Sequence, residues 1–281
     1  MCQASSLANA EDFLKKSSSK NKQTTSTTTT TTTTTISTKI INDTNALLIR
    51  PSNILITYIG TCMLWIGWFG FNAGSAISSG YGLEVATSAS LATQISTSIA
   101  ALMWMLVEWA VRKQPSVLGM VNGAVAGLVC ITPGAGFVDM TGAFIIGFMG
   151  GPLCYLGIQL KHYLGIDDAL DAFGVHAVGG IVGGIGAGFF ATPRSGISLA
   201  RGVVYTSLTI GGNQLLVQIY AILFTICWSG CVSFLLLKIL DFSFGLRVSP
   251  EHEDLGLDFS IHGESMTFGA VEDQQERKIS E

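Results

Sequence analysis

One stretch of the chain, residues 172–191, limits what it can fold into more than any other. It contains no Lys, Arg, Asp or Glu, its only ionisable side chain is His176, and it is rich in glycine. In a water-soluble helix each interior glycine costs about 0.5–1 kcal/mol relative to alanine. In lipid the same glycines let two helix backbones approach closely, and this length suffices to cross a bilayer. We therefore predict a transmembrane helix whose close-packing positions are Gly179, Gly180, Gly183 and Gly184.

His176 is the candidate functional residue of this helix. Hydrocarbon cannot solvate the imidazole nitrogens, so a histidine inside a membrane indicates function by default. A buried neutral imidazole accepts a hydrogen bond at one nitrogen and donates one at the other, which suits a small polar solute or a proton relay. The alternative is a structural histidine that is hydrogen-bonded to a neighbouring helix. Asp167, Asp168 and Asp171 precede the helix, and we interpret them as structural caps that also complement its dipole.

The rest of the chain indicates an all-α, polytopic transmembrane bundle. Only 12% of the residues are charged, about half the usual share of a soluble domain. Residues 1–50 are a Thr-rich, low-complexity segment that we predict to be disordered. Residues 51–245 form the predicted transmembrane domain, and residues 246–281 an acidic tail. About six spans are expected, over residues 54–76, 90–111, 117–131, 141–160, 172–191 and 214–240.

Charge and cysteine distribution exclude several classes of partner. A net charge of −4 leaves no basic face for nucleic acid. The six cysteines are scattered without a Cys/His cluster, so we expect no metal, no disulfide and no cofactor. Basic residues in the short loops favour one side of the membrane, which predicts cytosolic N- and C-termini. These residues are Lys39, Arg50, Arg112, Lys113, Lys161, Lys238 and Arg247.

The first apolar segment carries a second group of candidate residues. Phe71 and Ser75 are four residues apart and so share one helix face, which Trp68 joins three residues earlier. Such an aromatic stripe is usually a packing surface. Aromatic faces beside a hydroxyl also suit a cation, because the ring quadrupole attracts positive charge. A cationic substrate is therefore plausible, and we expect this helix to face the helix of His176.

At these residues the sequence resembles the ammonium transporter family (Amt/Mep, related to Rhesus proteins). Residues 67–75, Gly-Trp-Phe-Gly-Phe-Asn-Ala-Gly-Ser, and residues 171–176, Asp-Ala-Phe-Gly-Val-His, are similar to two signature helices of that family. Residues 127–133 and the tail between Phe244 and Glu264 also match, so the resemblance covers about residues 51–270. Ala172 and Ala177 stand where Val and Gly are commoner.

The resemblance implies a fold, a substrate and roles for the site residues. His176 would be one of two pore histidines and Phe71 one of two stacked gate phenyls, with Trp68 and Ser75 at the outer end that recruits ammonium. The family fold has eleven helices in two inverted five-helix repeats plus a last helix, and it assembles as a trimer. This chain matches the second repeat and the last helix. We expect a truncated form that lacks the first repeat, with its pore histidine, gate phenyl, vestibule tryptophan and recruiting aspartate.

Three functions remain open from the sequence. The first is an ammonium/ammonia channel or transporter in the plasma membrane or an internal membrane, in which ammonium is captured, deprotonated and passed along the histidines. The second is a non-conducting membrane subunit that co-assembles with full-length relatives, as a homo- or hetero-trimer, and regulates them. The third is an intramembrane hydrolase that uses Ser75 and His176. We expect no enzymatic activity, because no oxyanion-hole donor accompanies that pair.

Overall fold

The structure, a computed structural model, describes residues 53–78, 80, 82–192, 202–206 and 208–264. The predicted disordered segment, residues 1–50, lies outside this range. Within it the fold is all-α, as predicted, and the one β-type pairing is an isolated bridge between Val138 and Ala191. The long helices are α1 (Ile54–Ser78), α2 (Gly82–Arg112), α3 (Val117–Ile131), α4 (Met140–Leu164), α5 (Phe173–Phe190) and α6 (Leu208–Phe244).

Five of these helices are long and apolar enough to cross a membrane, and α3 is shorter. With 15 residues, α3 is about 22 Å long, whereas the hydrocarbon core is about 30 Å thick. After Ile131 the chain turns: the Gly134 N–H donates to the Ile131 carbonyl (2.9 Å) and the Val138 N–H to the Gly134 carbonyl (3.0 Å). The prediction of about six spans therefore corresponds to five long helices and one short, mostly buried helix between them.

Helices α2, α3 and α4 pack so closely that their backbones nearly touch. A Cβ atom added at Gly127 of α3 would lie 2.7 Å from the Ser96 carbonyl of α2, and one at Gly147 of α4 would lie 2.5 Å from the same carbonyl. The Ser96 hydroxyl also donates a hydrogen bond to the Gly127 carbonyl (3.0 Å). Small residues therefore join three helices at one point of α2, as expected for membrane helix packing.

Helix α5 uses its glycines unequally. A Cβ atom at Gly179 would lie 3.0 Å from Val129 Cγ1, and one at Gly183 would overlap the Cys130 carbonyl, both on α3. Gly184 faces α6, with 2.9 Å between an added Cβ and the Ile222 Cδ1 atom. At Gly180 an added Cβ would meet nothing within 4 Å. The close packing predicted at Gly180 is therefore not found, because this position points away from the described neighbours of α5.

The described part of the tail begins with an ion pair. Arg247, just after α6, lies 2.6 Å from the Asp167 carboxylate in the loop before α5, and both side chains are exposed. A short helix, α7 (Pro250–Leu255), and a π-helical turn, Asp258–His262, follow. The tail thus meets the loop that leads into α5 at one exposed contact.

Candidate functional site

Both stretches that carry the predicted site residues contain a π-helical segment. In α1 it covers Gly70–Gly74, and in α5 it covers Phe173–Ala177. In the second segment the Val178 N–H donates to the Phe173 carbonyl, five residues back. Single π turns inside α-helices are rare and occur frequently at functional sites. The backbone therefore departs from ordinary helix geometry in the two predicted motifs.

Phe71 and Ser75 line a common cavity beside α1. The cavity has a volume of about 250 Å³, enough for several water-sized molecules, each of which takes about 30 Å³ in the liquid. Its walls combine aromatic rings, hydroxyl groups and one amide. The lining residues are Phe71, Asn72, Ser75, Ala76, Val85, Thr132, Ala135 and Phe137. The predicted common face of Phe71 and Ser75 thus opens onto a space that a small hydrated cation could enter.

Trp68 supports the ring of Phe71 rather than lining the cavity. The two ring centroids lie 5.8 Å apart with the planes inclined at 59°, a favourable tilted arrangement. The Trp68 indole N–H donates to Thr132 Oγ1 at 2.8 Å, and the ring packs against the main hydrophobic core. Thr132 itself lines the cavity. A hydrogen bond between α1 and the end of α3 therefore fixes the indole against which Phe71 rests.

Asn72 lies between the two predicted residues and was missed in the sequence analysis. It is buried, and its Nδ2 atom donates to Thr93 Oγ1 of α2 at 2.9 Å. Ala76, one turn later, packs against Val85 and Ala86 of the same helix. These inward contacts leave Phe71 and Ser75 on the outer side of α1. A lone amide in an apolar segment was the sequence signal that could have identified Asn72.

His176 is exposed in the described part of the chain, contrary to the expected burial. Gly174 and Val175 are buried, and a Cβ atom at Gly174 would lie 2.8 Å from the backbone nitrogen of Ile158 in α4. This contact turns the other side of the π segment, with Phe173 and His176, outward. Among the described residues, no hydrogen bond to the His176 ring is found. The structural role considered for His176 therefore has no support in these contacts.

The two candidate faces do not pack against each other. In the described ranges α1 and α5 make no contact, and both instead pack on α3. The expectation that these two helices face each other is therefore not met by any direct contact between them. Glycines such as Gly183 bring α5 onto the C-terminal end of α3, and Trp68 anchors α1 to the same end through Thr132. The Ser75 hydroxyl donates to the Phe71 carbonyl and forms no hydrogen bond with His176, so the geometry gives no nucleophile–base pair.

The aspartates before α5 have different roles. Asp168 caps the helix: its carboxylate accepts hydrogen bonds from the backbone N–H groups of Ala172 (3.0 Å) and Phe173 (2.9 Å). Partial burial raises the pKa of Asp168, but these two hydrogen bonds and the Lys161 charge outweigh it, so the pKa lies below its usual value. The Asp171 side chain instead forms an ion pair with the buried Lys161 ammonium. Asp171 is therefore not the side-chain cap that was predicted, and its ion pair links α4 to the start of α5.

Comparison with known proteins identifies the relatives of this fold. The Ammonium Transporter Family matches this chain over residues 19–267. The chain belongs to the ammonium transporter family. It is 43% identical over 215 residues to the ammonium transporter of Bacillus subtilis, covering 76% of this chain and 52% of that protein. It is 42% identical over 217 residues to ammonium transporter Amt1 of Archaeoglobus fulgidus, covering 77% and 53%.

Solved structures agree with this assignment. The Mep2 structure from Candida albicans superposes with a TM-score of 0.63 at 30% identity, covering 72% of this chain and 45% of that one. A structure described as a Sensor Amt Protein gives a TM-score of 0.67 at 28% identity, covering 76% and 50%. As a member of the ammonium transporter family with these apolar helices, the chain is an integral membrane protein. It spans about half the length of the curated relatives it matches.

Proposed function

We propose that this chain takes part in the passage of ammonium or ammonia across a membrane. The cavity beside α1 supports the proposal most strongly, because it combines the Phe71 ring with the Ser75 hydroxyl. The Ser75 proton is donated to the Phe71 carbonyl, so its lone pairs are available to a cationic donor. A cation over an aromatic face gains about 0.5–2 kcal/mol. Ammonium fits this site as a small cation with only hydrogen-bond donors.

Deprotonation is the physical route onward from such a site. Moving an ion into an apolar passage without compensation costs far more than the cavity contacts supply, whereas neutral ammonia avoids that charge penalty. His176 is the titratable side chain that we assign to the passage. Its ring can accept a hydrogen bond from ammonia at one nitrogen, or relay a proton between its two nitrogens. We therefore assign capture to Phe71 and Ser75, with Trp68 supporting the Phe71 ring, and the pore role to His176.

A second wall is needed to close this passage. Phe71 is 59% exposed, and His176 is exposed as well. Since the relatives are about twice as long as the matched region, we propose that further helices cover these faces. The assembled protein would supply them, and we propose that it is a homo- or hetero-trimer with full-length relatives. We propose a plasma or internal membrane as the site, with the C-terminus in the cytosol, from the basic residues of the short loops.

Uptake of radiolabelled methylammonium by cells without their own ammonium transporters tests this function. The chain would be expressed alone and together with a full-length relative. His176→Ala and Phe71→Ala should each reduce uptake in the condition in which the native chain supports it. Matched controls are His162→Ala, at the exposed end of α4, and Phe144→Ala, an exposed phenylalanine of the same helix. Unchanged uptake with His176→Ala would overturn the pore role, and equal losses in the controls would indicate a general structural effect.

The second candidate function is a non-conducting subunit that regulates full-length relatives. The exposure of both candidate faces favours it, because the described helices of this chain leave them uncovered. In that case the chain alone gives no uptake, yet it co-purifies with a full-length relative and changes the uptake rate of that relative. Rapid degradation of the chain when it is expressed with the relative would count against this alternative.

A further inference from the structure

The side-chain oxygen of Asn72, Oδ1, accepts no hydrogen bond in the described part of the chain. It lies in the π segment of α1 between Phe71 and Ser75, and it is only 7% exposed. Its amide nitrogen donates to Thr93 Oγ1 at 2.9 Å. A buried polar side chain in an apolar helix is normally satisfied by its hydrogen bonds. A buried amide oxygen without a hydrogen bond is therefore unusual.

Thr93 fixes which way the Asn72 amide points. Thr93 is fully buried, and its hydroxyl donates to the Ala89 carbonyl of its own helix at 2.6 Å. A hydroxyl has one proton, so Thr93 can offer only a lone pair to Asn72. The NH₂ group, and not the carbonyl oxygen, must therefore face Thr93. This assignment follows from the hydrogen-bond network and does not depend on telling nitrogen from oxygen by position.

The Asn72 carbonyl oxygen is consequently left open to the cavity. Asn72 lines the cavity with Phe71 and Ser75, and in the described part of the chain its Oδ1 atom accepts no hydrogen bond. Within the same residues, the Ser88 hydroxyl is the one side-chain group that is both sealed from solvent and unbonded. Asn72 Oδ1 is therefore accessible to a molecule inside the cavity.

The other polar groups of the cavity leave few acceptors for a cation. Thr132 accepts from the Trp68 indole and donates to the Leu128 carbonyl, each at 2.8 Å. Ser75 donates to the Phe71 carbonyl and keeps its lone pairs. The side-chain oxygens best placed to accept from a guest are thus Ser75 Oγ and Asn72 Oδ1.

We infer that Asn72 is a substrate-contacting residue that accepts a hydrogen bond from ammonium in this cavity, with Thr93 as its positioning residue. The inference rests on the proposed function and adds an acceptor to the residues assigned above. Ammonium presents four N–H donors and no acceptor, so a site with a second oxygen holds it better than a single hydroxyl. The Thr93 contact keeps the amide from turning its NH₂ group, which would repel a donor, toward the cavity.

Equilibrium binding of radiolabelled methylammonium to the purified full chain in lipid nanodiscs tests the inference. Asn72→Leu keeps a similar volume and removes the acceptor, so binding should weaken roughly tenfold or more, the range for a hydrogen bond to a charged group. Thr93→Val frees the amide and should also weaken binding, whereas Thr93→Ser keeps the hydroxyl and should restore it. Thr97→Val is the matched control, because Thr97 is equally buried on α2, bonds the Thr93 carbonyl and does not line the cavity.

Each outcome separates this inference from the proposed function. If Phe71→Ala weakens binding but Asn72→Leu binds as tightly as the native chain, the cavity stands and the role of Asn72 is overturned. If Thr97→Val loses as much affinity as Asn72→Leu, loss of buried polar contacts explains the result and the inference fails. A native chain without saturable binding overturns both. Should Asn72→Leu fail to fold, the contrast between Thr93→Val and Thr93→Ser decides the question.

Discussion

Replacing Gly183 by alanine tests the close contact between α5 and α3. An added Cβ would overlap the Cys130 carbonyl and lie 2.9 Å from the Cδ atom of Pro133. Neither group can rotate away, because one belongs to the backbone and the other to a ring. Relief requires the two helices to separate along their contact, which also loosens the packing at Gly179.

The expected cost is at the upper end for overpacking a well-packed core, about 3 kcal/mol. Gly180→Ala is a matched control three residues earlier on the same helix. There the new methyl group meets nothing within 4 Å, so the substitution should stabilise the helix by about 0.5–1 kcal/mol, the difference in helix propensity. The two substitutions add the same atoms to the same helix. They should change the free energy of unfolding in opposite directions, with a difference of roughly 4 kcal/mol between them.

The assay is the free energy of unfolding in detergent micelles titrated with sodium dodecyl sulfate, followed by the loss of helical circular dichroism. Gly183→Ala should unfold at a lower denaturant fraction than the native chain, and Gly180→Ala at an equal or higher one. Equal destabilisation by both substitutions would refute the assignment of the packing face. A neutral Gly183→Ala would show that α5 does not rest on the Cys130 carbonyl.

Three further predictions concern the loops outside the spans. Asp171→Asn removes the carboxylate that pairs with the buried Lys161 ammonium, which among the described residues keeps only its hydrogen bond to the Asp168 carbonyl. The substitution should cost about 3 kcal/mol in the same titration, and a loss below about 1 kcal/mol would contradict this. The pKa of Asp168 is lowered, so its carboxylate stabilises the fold above about pH 4, and this stabilisation is lost as the pH falls further. Asp168→Asn should therefore remove that acid dependence from the thermal unfolding curve. The Tyr205 hydroxyl donates a hydrogen bond to the Asp139 carboxylate at 2.7 Å. Partial burial, this hydrogen bond and the Asp139 charge raise the pKa of Tyr205 to about 12, so the stabilisation of the fold is present below about pH 10 and fades as the pH rises toward 12. Asp139→Asn should bring the phenolate absorbance of Tyr205 to a lower pH, and an unchanged titration would contradict the contact.

Hydropathy predicted the helices well where they are apolar and less well where they are not. The short helix was predicted over 117–131, and the structure has Val117–Ile131. Helix α2 instead begins at Gly82, ahead of the predicted 90. Its first two turns contain Glu84 and small or polar residues such as Thr87 and Ser88, which form helix without raising local hydropathy. Hydropathy thus locates the membrane-spanning part of a helix more reliably than the polar turns by which the helix extends beyond it.

In the candidate site, the sequence likewise predicted the local relations between residues and missed the contacts between distant ones. The four-residue spacing of Phe71 and Ser75 was enough to place them on one face, because that relation is local. The hydrogen bond between Asn72 and Thr93 joins residues 21 positions apart, and no local pattern encodes it. Gly180 and Gly183 share the same small-residue pattern, but only neighbouring helices decide which of them is covered. Tertiary contacts therefore supply the part of the site that sequence alone does not.

The π segments determine how the two motifs respond to a change in chain length. A π turn accommodates more residues than an α turn, and each residue of an ordinary helix advances the side-chain direction by about 100°. Deleting one residue within Gly70–Gly74 would let α1 relax into a uniform α-helix. Because the π turn absorbs one extra residue, Ser75 would then keep nearly the same direction relative to Trp68, whereas the same deletion in an ordinary α-helical stretch would rotate everything after it by that angle. A one-residue deletion is therefore better tolerated inside the π segment than in the α-helical turns on either side of it.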